Sequence, residues 1–492
     1  MNEVLLRTVR RVGTSGAPAD VRIVDGRVTD VAPAGTLDAA GPDTDVVEAA
    51  GAWLAPGLVD HHVHFDQWAL VRRRVDVSAC DSAESTAALL AEVARTGVAD
   101  RVLVGHGYRD GLWPRPARRE LLDQAAPRLP VVVISADLHA VWCSTSALAH
   151  FSEVVGRPLV ATEDGILREQ DAFDVTGALS RVPDDVLDGY VADAVEAASA
   201  RGVTRVVDLE MVFGLDRWTR RVHAGTDGLR VGSGVYPAEL DAVIARGLRT
   251  GDVVDGTRGL VRMGPFKVIT DGSLGTRTAA NADGSGVLAW PFDELVAITR
   301  RAVAAGLTPA VHAIGDRANT LALDVFEAVG ARGTIEHAQL LDTADLERFA
   351  RLGVTASVQP EHAMDDRDIA DRHWAGQTDR AFAFASLDRA GARLVLGSDA
   401  PVAPLDPWVS MAAAVGRDRD GRPAWHPTER LSALTAWRGS TDGGRASVAV
   451  GDVADLVLVE ADPLAAGLPS AALRTMRVLA TAIEGRFTHR DV

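Results

Sequence analysis

Cysteine is nearly absent: Cys80 and Cys143 are the only two in 492 residues, too far apart for a CxxC pair or a disulfide framework. The chain therefore reads as a protein of a reducing compartment. Aromatic residues make up only 5%, so platforms for stacking nucleic-acid bases are poorly supplied. Positive charge is also short, with Lys plus Arg at 51 against Asp plus Glu at 68 and a formal charge of -17. Such a balance repels phosphate backbones and anionic lipid surfaces, which argues against nucleic acid and membrane as partners. No uncharged apolar run reaches the roughly 18 residues of a membrane span. The opening "MNEVLLRTVRRVG" shows neither an apolar leader core nor a cleavage site. A soluble, cytoplasmic protein is the expectation.

An apolar fraction of 47% over this length suits an enzyme-sized globular chain. Short β-like runs with Asp-Gly turn signals, "ADVRIVDGRVTDVAP" and "GAWLAPG", open it, and "GDVADLVLVEAD" and "TMRVLATAIEGRFTH" close it. They predict one small β domain, a sandwich, assembled from residues 1–55 and 440–492. Between them, residues 56–439 alternate strand and helix. Ten candidate strands are two more than a closed eight-stranded barrel needs. Counting back from the strand near residue 396 leaves eight, near 60, 206, 233, 264, 310, 335, 357 and 396. The pair near 103 and 133 then falls in an insertion, residues 70–181, expected as a cap. The fold expected is α/β, a distorted (β/α)8 TIM barrel, with a doubly wound open sheet as the structural alternative.

The stretch "PGLVDHHVHFD", Pro56 to Asp66, carries His62 and His64 two positions apart. In an extended strand that spacing turns both imidazoles to one side, and His61 to the other. Further ionisable residues fall at later strand ends: Lys267, His312 in "VHAIGDRAN", His337 in "IEHAQL" and Asp399 in "LGSDAPV". Strand C-termini of a barrel converge at one mouth, so these six groups are expected to meet. Imidazole and carboxylate donors without thiolate favour a catalytic zinc, with manganese, iron, cobalt or nickel following the same chemistry. Lys267 fits a cation site poorly as an ammonium; it reads either as a salt-bridge or carboxylate partner, or as a carbamate formed with carbon dioxide.

Around this cluster, Arg277 and Arg317 are candidates to bind a substrate carboxylate, and Asp316 is a candidate to orient a histidine. Trp113, His139 and Trp142 in the insertion are candidate pocket-wall groups, with Tyr108 and Glu169 behind them. The segment Glu361 to Gly376, with His362, Asp365, His373 and Trp374, is either a solvated loop or, as the resemblance named below implies, a rim loop.

These pieces resemble the amidohydrolase superfamily, and within it amidohydrolase family 3 and its YtcJ-like branch. The likeness rests on "GLVDHHVHF", "GHGYRDGLWPRPARRELLDQ", "FKVITDGSLGTRTA", "VHAIGDRANTLALDVFE", "GTIEHAQL" and "LGSDAPVAPLDPW", in that order. It implies that His62, His64 and Asp399 bind a buried metal and that His312 and His337 bind a second. A carbamylated Lys267 would bridge the two. One or two zinc ions, a small-molecule substrate and a homodimer are compatible with it. The chemistry implied is hydrolysis of a non-peptide C–N bond, in an amide or N-substituted formamide. Asp399 would shuttle the proton and His337 would help orient the substrate oxygen. A cyclic amidase, deaminase or lactonase on the same centre is the alternative, and a non-catalytic sensor the reading of another class.

Overall fold

A computed structural model of the chain describes residues 3–39, 41–96, 101–108, 110, 113–135, 140–168, 170–275 and 277–492. It divides into two compact units, Met1–Phe65 with Val195–Val492, and Asp66–Ala194.

The first unit holds eight parallel strands, numbered here β1 to β8. They are Leu58–Val63, Val203–Asp208, Arg230–Val235, Val261–Ile269, Pro309–Ala313, Thr334–His337, Thr355–Val358 and Leu394–Leu396, hydrogen-bonded in that order from β1 to β8. The eight expected positions and the eight observed strands agree. Val63 and Ala400 form a parallel bridge, the Asp399 amide donates to His62 O at 2.7 Å, and the His64 amide donates to Ala400 O at 2.8 Å. These bonds bring the sheet nearly round to a closed barrel. Most residues of these strands are buried, as parallel strands covered on both faces require, so they read as apolar runs broken only where polar groups enter the mouth. Gly264 marks a close approach: a Cβ there would lie 2.5 Å from Ser233 C on β3.

Amphipathic helices follow several strands. After β5 comes Asp316–Val329, which buries Ala318, Ala322, Leu323, Val325 and Phe326 and ends on Gly330 at φ 69°, a left-handed cap that glycine adopts without cost. Strands from both ends of the chain build a separate eight-stranded sheet, in which Glu3–Arg11 pairs with Ala19–Val24 on one side and with Asp45–Glu48 and Trp53–Pro56 on the other. The Asp25-Gly26 turn has both residues at positive φ, as a tight two-residue hairpin demands.

In the second unit, Val75–Asp76, Leu103–Tyr108, Val131–Ser135, Ala140–Cys143 and Ile166–Arg168 make a five-stranded sheet. The strands near 103 and 133 therefore belong to this sheet and not to the barrel. Alternation splits its core: Val131 and Val133 join one apolar cluster, Val132 and Ile134 the other. Among the described residues, no helix is long and apolar enough to cross a membrane.

Candidate metal centre

His62 sits on β1 facing into the barrel and His64 follows that strand. Lys267 is on β4, His312 on β5, and His337 ends β6. Asp399 comes three residues after β8. Ligand atoms of His62, His337 and Asp399 all lie within 4.8 Å of one another, and all three residues are buried. Asp399 Oδ1 is 3.4 Å from His62 Nε2 and 3.2 Å from His64 Nε2. The imidazole of His337 lies 4.9 Å from that of His62 and 4.5 Å from that of His312, centroid to centroid.

Two of these residues depart from strand geometry. His337 has φ 75° and Asp399 φ 57°, values that non-glycine residues rarely hold and that recur at functional sites. The His337 backbone matters because Glu336 beside it also faces inward. Glu336 Oε2 accepts from His62 Nδ1 at 2.7 Å, and its other oxygen accepts from Thr334 Oγ1. Regular alternation would send His337 outward, and the left-handed turn brings it back.

The Glu336 bond also settles the His62 tautomer. With Nδ1 donating, Nε2 presents a lone pair toward Asp399 and His337. Gln359 Nε2 lies 3.4 Å from the same Nδ1, but one nitrogen cannot both donate and accept. The shorter contact to a carboxylate prevails, and the Gln359 amide donates to Ser357 O at 3.3 Å. Burial works to raise the Glu336 pKa, yet the His62 hydrogen bond and the charges of His62 and Lys267 bring it down to about 2. Burial, with the Lys267 charge, pushes His62 down to about 4. Asp399 is held well below the carboxylate range: burial opposes this, and His62, His64 and His337 outweigh it.

His312 Nε2 is 3.4 Å from Asp271 Oδ1. That carboxylate is fixed by the amides of Ile314 at 3.1 Å and of Gly315 and Ala280 at 2.9 Å each. Lys267 is 2% exposed, and its Nζ has no hydrogen-bond partner. Burial lowers its basicity, partly offset by the Glu336 and Asp399 charges. It is also the single lysine of a chain whose other basic side chains, histidine aside, are all arginine.

Among the described residues, His64 Nδ1 and His337 Nδ1 are likewise buried without partners, a state costing about 1–3 kcal/mol per atom if nothing satisfies it. Imidazole lone pairs gathered round one carboxylate fit a divalent cation. The donor set passes that test.

The other candidate residues have distinct surroundings. His61 points away from the cluster, its Nε2 unpartnered, and burial pushes it to about 4. Asp316 does not orient a histidine: it accepts from the amides of Ala282 at 2.8 Å and Arg317 at 2.9 Å and faces Arg380 at 3.4 Å. Arg317 is exposed on a cleft of about 690 Å³ beside Leu288, Trp290 and Phe292. None of the clustered histidines lines that cleft. Arg277 is an exposed loop residue. Trp142 is fully buried in the core of the second unit, with Trp113 edge-on at 5.9 Å. His139 and Glu169 lie outside the described residues.

Residues 45–489 match the profile of the amidohydrolase family. The chain belongs to that family. This amidohydrolase is 27% identical to Protein LONG AFTER FAR-RED 3 of Arabidopsis thaliana, over 89% of the chain and 83% of the relative. It is 26% identical to the putative amidohydrolase YtcJ of Bacillus subtilis, over 91% of each. With the N-substituted formamide deformylase of Arthrobacter pascens it shares 25%, over 91% of the chain and 90% of that enzyme. An uncharacterized metal-dependent hydrolase from Pyrococcus horikoshii has the same fold, with a TM-score of 0.78 at 24% identity, covering 96% of this chain and 99% of that one. The protein is thus a hydrolase acting on carbon–nitrogen bonds.

Proposed function

We propose that the protein hydrolyses the amide bond of a small N-substituted formamide or a related amide. The observation that carries this is the buried convergence of His62, His337 and Asp399 within 4.8 Å in a chain similar to a formamide deformylase over nine-tenths of its length. His62, His64, His312, His337 and Asp399 would hold one or two divalent cations, zinc in the first instance. A bound cation supplies Lewis acidity and lowers the pKa of a water toward about 7. Asp399 is ionised at neutral pH and reaches the histidine pair with Oδ1. It takes the proton of the attacking water and returns it to the leaving nitrogen, so that formamide and water become formate and amine.

The reading includes a carbamate on Lys267. A buried primary amine of lowered basicity combines in its neutral form with carbon dioxide and releases one proton, so that a neutral amine becomes an anionic carbamate. Arginine serves every other basic position except the histidines; guanidinium cannot perform that reaction, and a lysine stands here.

The test is product formation by the chelated and zinc-reconstituted protein: amine from N-butylformamide and N-butylacetamide, ammonia or amine from an aminotriazine, and ring-opened acid from a cyclic imide and a lactone. Turnover of the formamide is expected with zinc and not without, falling about 10²–10⁴-fold in Asp399→Asn. Turnover confined to the lactone would overturn the amide assignment.

A further inference from the structure

His362 follows β7 at the start of a one-turn helix, His362–Asp365. Its side chain is 6% exposed, and its Nε2 stands 3.9 Å from Asp399 Oδ2, too long for a hydrogen bond. The ring lies nearly parallel to that of His337, with centroids 6.2 Å apart. Nε2 has no partner. On the other side of the ring, Gln339 Nε2 is 3.5 Å from Nδ1. In this orientation the Gln339 amide turns its NH2 to Nδ1, which assigns the imidazole proton to Nε2.

The backbone that carries His362 is tied down. Glu361 receives Arg474 through two hydrogen bonds, at 2.9 and 3.0 Å, and Arg419 at 2.8 Å. A carboxylate held by two guanidiniums does not swing, so the adjacent imidazole is preset. Asp399 meanwhile turns Oδ1 to His62 and His64 and leaves Oδ2 on the His362 side.

We infer that His362 is a further catalytic residue: an imidazole whose Nε2–H is held out to the carbonyl oxygen of the substrate amide. The inference rests on the amide-hydrolase reading above and deepens it. A donor fixed in place before reaction stabilises the negative charge that builds on that oxygen as water adds. Asp399 handles the proton, and His362 handles the oxygen.

Two variants test this. His362→Phe keeps a ring in the stack but has no donor, and His362→Gln restores one. Both are prepared as the zinc-loaded full chain, with metal content and melting temperature compared with the parent. Two readouts follow: affinity for formate by calorimetry, and kcat for N-butylformamide. His362→Phe is expected to bind zinc normally, to bind formate at least tenfold more weakly, and to lose about 10²–10³-fold in kcat with little change in KM. His362→Gln should recover most of both losses.

Loss of zinc in His362→Phe would make the residue a ligand and overturn the inference, as would unchanged formate affinity in a fully metallated variant. If the parent turns over no amide while formate binding still depends on His362, the functional reading fails and the donor role stands. If the parent is active and His362→Phe matches it in both readouts, the reverse holds.

Discussion

His62 and Glu336, 274 positions apart in the chain, are joined by a 2.7 Å hydrogen bond from imidazole Nδ1 to a carboxylate buried on the barrel interior. The bond fixes which nitrogen of His62 faces Asp399 and makes the imidazole a stronger donor to a cation. Glu336→Gln is expected to fold and to weaken zinc affinity about 10–100-fold. Competition against a chromophoric chelator measures this, and an affinity equal to the parent's would remove Glu336 from the account.

A single lysine makes carbamate detection unambiguous. Protein equilibrated with 13C-labelled carbon dioxide should show a carbamate carbon resonance that is absent in Lys267→Arg. A spectrum unchanged by the substitution would assign the signal to the amino terminus and leave Lys267 unmodified.

Barrel closure depends on a missing side chain at Gly397. A Cβ there would sit 2.7 Å from the His62 amide nitrogen and 3.1 Å from Asp60 Oδ1. Gly397→Ala therefore forces β1 and β8 apart at the point where Asp60 holds the amides of His62 and Ser398, at 3.1 and 3.0 Å. A loss of about 1–3 kcal/mol is expected from overpacking, read by chemical denaturation, together with weaker zinc binding. A variant as stable as the parent would show that the seam can yield.

Asp20 ties down the N-terminal sheet domain. Its carboxylate accepts from the amides of Thr8, Gly35, Thr36 and Leu37. Burial acts to raise its pKa, and the four donors outweigh it, holding it below the ordinary value of 3.8. A carboxyl depressed on folding stabilises above its ordinary value and loses that contribution as pH falls through the folded one. Asp20→Asn should thus destabilise most near neutral pH, with the gap from the parent closing below about pH 4. Equal gaps at pH 7 and pH 3 would contradict the assignment.

The two thiols should differ in reactivity. Cys143 is fully buried, and burial pushes its thiol up to about 12, which leaves almost no reactive thiolate near neutrality. Cys80 is partly exposed. A disulfide reagent should modify one thiol in the native protein and two after denaturation. Rapid modification of both would show that the second unit opens readily.

Most of the fold was legible because its signals are local. Each barrel strand is an apolar run flanked by turn residues, and each run predicted a strand to within a residue or two. Regular alternation likewise placed His62 inward and His61 outward. Glu336 escaped notice because it neighbours His337, and alternation allows only one of two consecutive residues to face the mouth. The left-handed turn at His337 lifts that restriction, and no residue type in "IEHAQL" announces it. His362 read as a rim residue because nothing local reveals that Glu361 is clamped by arginines 58 and 113 positions away.

Periodicity and residue chemistry by themselves determined the strands, the barrel and the supply of imidazole, carboxylate and amine at its mouth. Only the tertiary structure decided which nitrogen of each ring faces inward, which arginines stand clear of the centre, and which carboxylate supports which histidine. Strand patterns depend on neighbours a few residues apart, whereas tautomer and contact are set by groups that meet only after the chain has closed.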